Sequence, residues 1–272
     1  MTVGNLLTWG KQKLKKNGIN SYCLDSETLL SSILSIQRLT LNLEAKKDVL
    51  YSDLKKFVYA IKRRCRLEPI QYILGYQYFF GRKFFVNSDV LIPRMETEIL
   101  VDTIISDYKN KKDLDILDIG TGSGNIAITL YLELDNPNVI AVDNCLKTLK
   151  VSQKNNKKMG AKVKFKRSNI FDSVTGLFDI IVSNPPYLND GKKIEKQVKN
   201  FEPHNALFSY GNDVCFYEEI LKKAKYFLKK GGRIYFEVDD GQARRIKNLG
   251  KYTLLKDLNG YERVIIKKGL NG

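Results

Sequence analysis

The stretch "LDILDIGTGSGNIAITL", residues 114–130, decides the fold. Ile116 to Ile119 is a short apolar run of strand length, and three glycines follow at Gly120, Gly122 and Gly124. From Asn125 to Leu134 the apolar residues recur at helical spacing. A strand, a glycine turn and a helix in that order open an α/β unit. The glycines permit a tight turn and let a ligand lie against the backbone. The first turn of the helix offers unpaired N–H groups to an anionic ligand group. The next strand, Val139 to Val142, ends in Asp143, 21 residues after Gly122, where a carboxylate can accept bonds from ribose hydroxyls. A dinucleotide fingerprint needs glycine at position 125, and this chain has Asn125.

Outward from that unit the pattern repeats. Leu146 to Met159 reads as a helix, and Val163 to Lys166, Ile180 to Ser183 and Arg233 to Val238 as strands. Phe216 to Leu228 reads as a long helix closed by Gly231-Gly232. Such alternation predicts a mainly parallel sheet covered on both faces. The segment "YTLLKDLNGYERVIIKK", 252–268, predicts a terminal hairpin turning at Asn259-Gly260. On the other side, residues 1–70 read as short amphipathic helices packed on each other. Predicted helices cover Leu6 to Leu14, Asp25 to Ile36 and Leu41 to Leu50, and a fourth starts at Ser52 as N-cap. The aromatic, glycine-punctuated segment 71–92 reads as a β-hairpin linker, and 93–272 as the α/β domain.

Composition bounds the function. With 272 residues, 43% hydrophobic and 28% charged, the chain is of ordinary globular type. No apolar run approaches the roughly 18 residues of a membrane span. The start, "MTVGNLLTWGKQKLKKNG", lacks a signal-peptide pattern, so a cytoplasmic protein is expected. The four cysteines lie far apart with no metal-type spacing, and no metal is expected. His204 is the only histidine, which excludes a histidine-based triad or a multi-histidine metal site. The net charge of +16 fits a phosphate-rich partner, and equally a lysine-rich composition with solvated faces. Both remain open.

The GxGxG spacing behind Asp118 resembles the S-adenosylmethionine loop of Rossmann-like methyltransferases. A second motif bears on what is methylated. In "FDIIVSNPPY", 178–187, an apolar strand stops at two prolines, which fix φ and remove two donors. Strand ends of this sheet type face the ligand crevice, so Asn184 is expected beside Gly120 to Gly124. The Asn184 oxygen and the Pro185 carbonyl can accept both hydrogens of a planar NH₂ group, favouring its shift toward tetrahedral nitrogen. Pro186 stiffens the corner, and Tyr187 can stack on the planar group.

Across nearly its whole length the chain resembles the peptide chain release factor glutamine methyltransferases, the HemK/PrmC family. The resemblance is carried by Glu68-Pro69 with "QYILG", "FFVNSDVLIPRMETEILV", "LDIGTGSGNIAI", "AVD", "VSNPPY", "FEPHNAL" and "FEVDDGQ". It implies a seven-stranded Rossmann-like methyltransferase domain preceded by a helical domain that docks the substrate factor. It implies S-adenosyl-L-methionine as methyl donor, S-adenosyl-L-homocysteine as product, and the Gly-Gly-Gln glutamine of a release factor as acceptor. Cofactor contacts are expected from Gly120, Thr121, Gly122, Ser123, Gly124, Asp143, Asn169, Ile170 and Asn184. Asn184, Pro185, Pro186 and Tyr187 are expected to hold the glutamine, with Asn184, Pro185 and Tyr187 catalytic. Where the family often has an acid and a ring near the adenine, this chain has Asn169, which brings no charge, and Ile170. Met95 stands for a usual proline and Asp239 for a usual glycine. A monomer needing neither nucleic acid nor membrane is expected. Two other readings fit the same motifs: an adenine or guanine amino methyltransferase acting on nucleic acid, and a cofactor-binding translation partner without activity.

Overall fold

The computed structural model of the chain describes residues 1–187, 195–209, 212–247 and 249–269. Two compact units are present, Met1–Tyr76 with Ile194–Phe201, and Gln77–Lys193 with Glu202–Gly272.

The first unit holds α1 (Val3–Lys16), α2 (Tyr22–Leu34), α3 (Tyr51–Cys65) and a short α4 (Ile70–Leu74). Leu6, Leu14, Leu29, Leu30, Phe57 and Ile61 close its core. Gly10 is required for this packing: a Cβ there would lie 2.6 Å from Ser26 Oγ and 2.7 Å from the Phe57 ring. Arg64 and Asp25 form a buried pair at 2.7 Å. The helix expected over Leu41 to Leu50 is absent. A 3₁₀ turn at Arg38–Thr40 leads into turns instead. The orphan amides at the start of α1 explain this, because Val3 and Gly4 donate to the carbonyls of Lys47 and Ala45, both at 2.9 Å. Ser52 does not cap α3 either, whose N-cap position is Leu50. Residues 70–74 are helix where the aromatic, β-branched run suggested strand, with Gly75 (φ 78°) ending it in the left-handed region.

A two-stranded hairpin follows, β1 (Tyr76–Phe79) and β2 (Arg82–Phe85), then α5 (Glu96–Tyr108). The second unit continues with β3 (Asp115–Ile119), α6 (Asn125–Glu133), β4 (Asn138–Asp143), α7 (Leu146–Met159), β5 (Lys164–Arg167) and β6 (Phe178–Ser183). After α8 (Lys196–Phe201), which belongs to the first unit, come α9 (His204–Leu207), α10 (Cys215–Ala224), β7 (Leu228–Glu237), β8 (Thr253–Lys256) and β9 (Glu262–Lys268). The strands form one seven-stranded sheet in the order β5-β4-β3-β6-β7-β9-β8. Among the described strands of this sheet only β9 runs against its neighbours, and Gly260 (φ 85°) makes the turn before it. Neighbouring residues of β3 point to opposite layers: Ile116 packs with α5 and α6, and Leu117 with α10.

One element boundary differs instructively. The last helix ends at Ala224, and Gly231-Gly232 lies inside β7 instead of closing the helix. A Cβ on Gly232 would sit 2.9 Å from the Phe178 carbonyl oxygen, so glycine here permits close strand contact. Among the described residues no helix is long and apolar enough to cross a membrane.

Candidate active site

The carboxyl ends of β3, β4 and β6 surround a cavity of about 780 Å³ including its open mouth. Gly120, Gly122, Asp143, Asn169, Ile170, Asn184, Pro185 and Pro186 line it. Gly120 (φ 75°) and Gly122 (φ 56°) both adopt the left-handed conformation, with almost nothing where a side chain would project. Their backbone is thus bare toward the cavity. Gly124 serves packing: a Cβ would meet Ile128 at 2.9 Å and Ser152 at 3.1 Å.

Asp143 ends β4, and its carboxylate accepts the Gly122 amide at 3.2 Å and the Cys145 amide at 3.0 Å. Burial pushes its pKa up, while those amides draw it back. Beneath the loop lies Asp118, fully buried, with neither carboxylate oxygen hydrogen-bonded. Burial raises its pKa to about 7; the nearby Thr121 hydroxyl and Ala127 amide, neither in hydrogen-bonding geometry with it, oppose the rise, and the charge of Asp143 adds to it. Thr121 and Ser123 turn away from the cavity wall. The Thr121 hydroxyl is buried without a partner, and Ser123 Oγ donates to Asn125 at 2.9 Å. Ile170 sits on the wall at φ 49°, a strained value for a β-branched residue.

At the end of β6, Ser183 Oγ donates to the Ile119 carbonyl at 2.7 Å, which ties the corner to β3. Asn184 Nδ2 then donates to Thr97 Oγ1 at 3.3 Å. Tyr187 is packed against the core layer beneath α10 and does not line the cavity. Its pKa rises to about 12, first through burial and then through the charge of Glu237.

Sequence reasoning missed several wall residues, among them Asp89, Thr148, Asn205 and Phe216. Thr148 donates to the Asp89 carbonyl at 2.8 Å, so the segment after the hairpin forms a wall. Arg94 is an ion-pair residue, with Nη2 at 2.6 and 2.8 Å from the two oxygens of buried Glu202. Glu98 accepts the Phe80 amide at 2.7 Å and so fastens α5 to the hairpin. Thr97 and Glu237 carried no motif of their own, although both are buried polar residues inside the quoted "METE" and "FEVDDGQ".

The comparisons with known proteins agree along the chain. Residues 95–262 match the methyltransferase small domain family, and residues 5–75 match the PrmC N-terminal domain. The release factor glutamine methyltransferase of Francisella tularensis is 37% identical, the match covering 97% of this chain and 96% of that protein. The one from Fusobacterium nucleatum is also 37% identical, over 94% of this chain and 75% of that protein. A bifunctional methyltransferase of Rickettsia typhi is 34% identical, and this chain spans 57% of its length. Among solved structures, a methyltransferase from Pyrococcus furiosus superposes with a TM-score of 0.53 at 18% identity, over 81% of this chain and all of that one, a likeness of fold. On these grounds the chain belongs to the release factor glutamine methyltransferase family of S-adenosylmethionine-dependent enzymes.

Proposed function

We propose that the chain methylates the side-chain amide nitrogen, N5, of the glutamine in the Gly-Gly-Gln motif of peptide chain release factors. The carrying observation is that the Asn184-Pro185 corner opens on the same cavity as Gly120, Gly122 and Asp143. The factor's other surface docks on the helical domain, residues 1–70. The enzyme acts as a cytoplasmic monomer on free factor, without nucleic acid. The names of the relatives support the acceptor, since those proteins are release factor glutamine methyltransferases.

The residues present fit the cofactor. The bare backbone at Gly120 and Gly122 admits a ligand at contact distance, and the Asp143 carboxylate suits a diol. Asn169 and Ile170 offer an amide and an apolar wall for a flat heterocycle. When bound, S-adenosylmethionine supplies an electrophilic methyl whose C–S bond breaks as the glutamine nitrogen's lone pair forms the new C–N bond. Asn184 Oδ1 and the Pro185 carbonyl hold the two amide hydrogens, so the lone pair leaves the π system and faces the methyl. Rigid placement by two prolines supplies part of the rate, since fixed orientation is worth up to about 7–11 kcal/mol in ideal cases. Tyr187 backs the corner. The proton leaves to water after transfer.

The test incubates the protein with methyl-labelled S-adenosylmethionine and a release factor, with bulk RNA and DNA in parallel. Label on the factor that disappears when its Gly-Gly-Gln glutamine is changed to Glu supports the proposal. Label that survives that change, or that goes only to nucleic acid, overturns it.

A further inference from the structure

Glu237 is a buried ionisable group that the transfer chemistry above leaves unused. It ends β7 at 4% exposure, and its Oε2 accepts no hydrogen bond. Register places it beside the corner. The last parallel pair of β6 and β7 is Ser183 with Phe236, so Asn184 and Glu237 are the next residues on adjacent strands. The strand end is pinned from the other side, where Tyr217 Oη donates to the Glu237 carbonyl at 2.9 Å. Thr97, in the first turn of α5 and 2% exposed, stands beside both: its Oγ1 accepts Asn184 Nδ2 at 3.3 Å, and its side chain is near enough to the Glu237 carboxylate to favour the charged form. The Asn184 side chain favours the charged form of that carboxylate too.

An asparagine amide has a donor end and an acceptor end of nearly the same shape, and its neighbours decide which way it faces. A carboxylate can only accept, and Thr97 Oγ1 accepts from Asn184 Nδ2, so both neighbours are acceptors toward Asn184. Only the NH₂ end satisfies them. We infer that Thr97 and Glu237 are positioning residues that hold Asn184 Nδ2 inward and so present Oδ1 to the NH₂ group of the substrate. This inference rests on the role proposed for Asn184.

Ionisation of Glu237 is part of the device. Burial raises its pKa to about 7 and the charge of Glu96 adds to this, against Thr97, Arg263 and Asn184. Tyr187 and Tyr217, which also face it, have pKa values pushed up and stay neutral. Protonated Glu237 becomes a donor and releases the constraint, so kcat falls as pH drops through about 7.

The experiment compares Thr97→Val, Thr97→Ser, Glu237→Gln and Asn184→Ala in full-length protein, with cofactor affinity by calorimetry and kcat on a release factor. Thr97→Val and Glu237→Gln are expected to lower kcat about 100-fold, as misplacement of a reacting group does, with cofactor affinity unchanged. Thr97→Ser keeps the hydroxyl and restores most of the activity, and the acid limb of the pH profile disappears in Glu237→Gln. Wild-type kcat in Glu237→Gln overturns the inference, as does an acid limb that survives there, which would assign it to Asp118. If Asn184→Ala itself retains full activity, the proposed role of Asn184 fails with it; if only that variant is inactive, the role stands and this inference falls.

Discussion

Asp143 Oδ2 accepts the amide N–H of Gly122 at 3.2 Å, so one carboxylate both shapes the glycine loop and faces the cavity. Asp143→Ala removes the acceptor for ligand hydroxyls and frees the Gly122 amide at once. Hydrogen bonds to charged groups contribute about 1.5–3 kcal/mol, so affinity for S-adenosylhomocysteine should fall roughly 10- to 100-fold by that figure. Calorimetry measures it. Unchanged affinity removes Asp143 from the cofactor site.

The strand ends were legible in the sequence and the walls were not, for a physical reason. Glycines with positive φ and an Asn-Pro-Pro corner are local backbone demands, visible within five residues. Walls form where distant segments meet. Asn205 lies in "FEPHNAL" and Thr148 in the lysine-rich α7, and only the fold carries both to the cavity. The sequence offers Tyr187 as a ring to stack on the planar substrate group, but the layer beneath α10 gives it apolar neighbours and it does not line the cavity. At Leu41 to Leu50 local helical spacing lost to the amides of α1, which claim the carbonyls at 45 and 47.

Asn155 is the clearest case of a residue hidden by its surroundings. In "QKNNKKM" it looks solvent-facing, yet it is fully buried. Its Oδ1 accepts the Phe85 amide at 2.7 Å, and its Nδ2 donates to the carbonyls of Phe85 at 3.0 Å and Ser123 at 2.9 Å. One side chain thereby couples the hairpin to the glycine loop. Asn155→Ala leaves three backbone groups without it, at about 1–3 kcal/mol for each that stays unsatisfied. Urea unfolding should show a loss of about 3 kcal/mol on that basis, together with weaker cofactor binding. A loss of stability with intact binding would mean that the loop holds its shape without Asn155.

The Arg94–Glu202 pair should respond asymmetrically. Glu202 has a side-chain exposure of 1%, and Arg94 one of 33%. Removing one partner of a buried pair costs about 3–5 kcal/mol. Glu202→Ala leaves a guanidinium that reaches water and an Ile92 amide without its acceptor, so the loss should sit near about 3 kcal/mol. Arg94→Ala strands a buried carboxylate and should cost more. Chemical denaturation with unchanged m-values measures both, and a milder effect for Arg94→Ala contradicts the burial argument.

Asp118 gives the pH dependence its sign. Folding raises its pKa from 3.8 to about 7. Between those values the folded protein keeps a proton that the unfolded chain has released. The stability so gained is complete below pH 4 and is lost as pH rises through about 7. Asp118→Asn removes the ionisation, and Glu237, which titrates in the same range, contributes equally to both proteins. Relative to wild type the variant should therefore gain stability from pH 4 to pH 8, on the order of a few kcal/mol. Thermal unfolding of the cofactor-free proteins across that range measures the difference. A constant offset would mean that Asp118 ionises normally in the folded state, with its buried oxygens solvated by a route other than the neighbouring side chains.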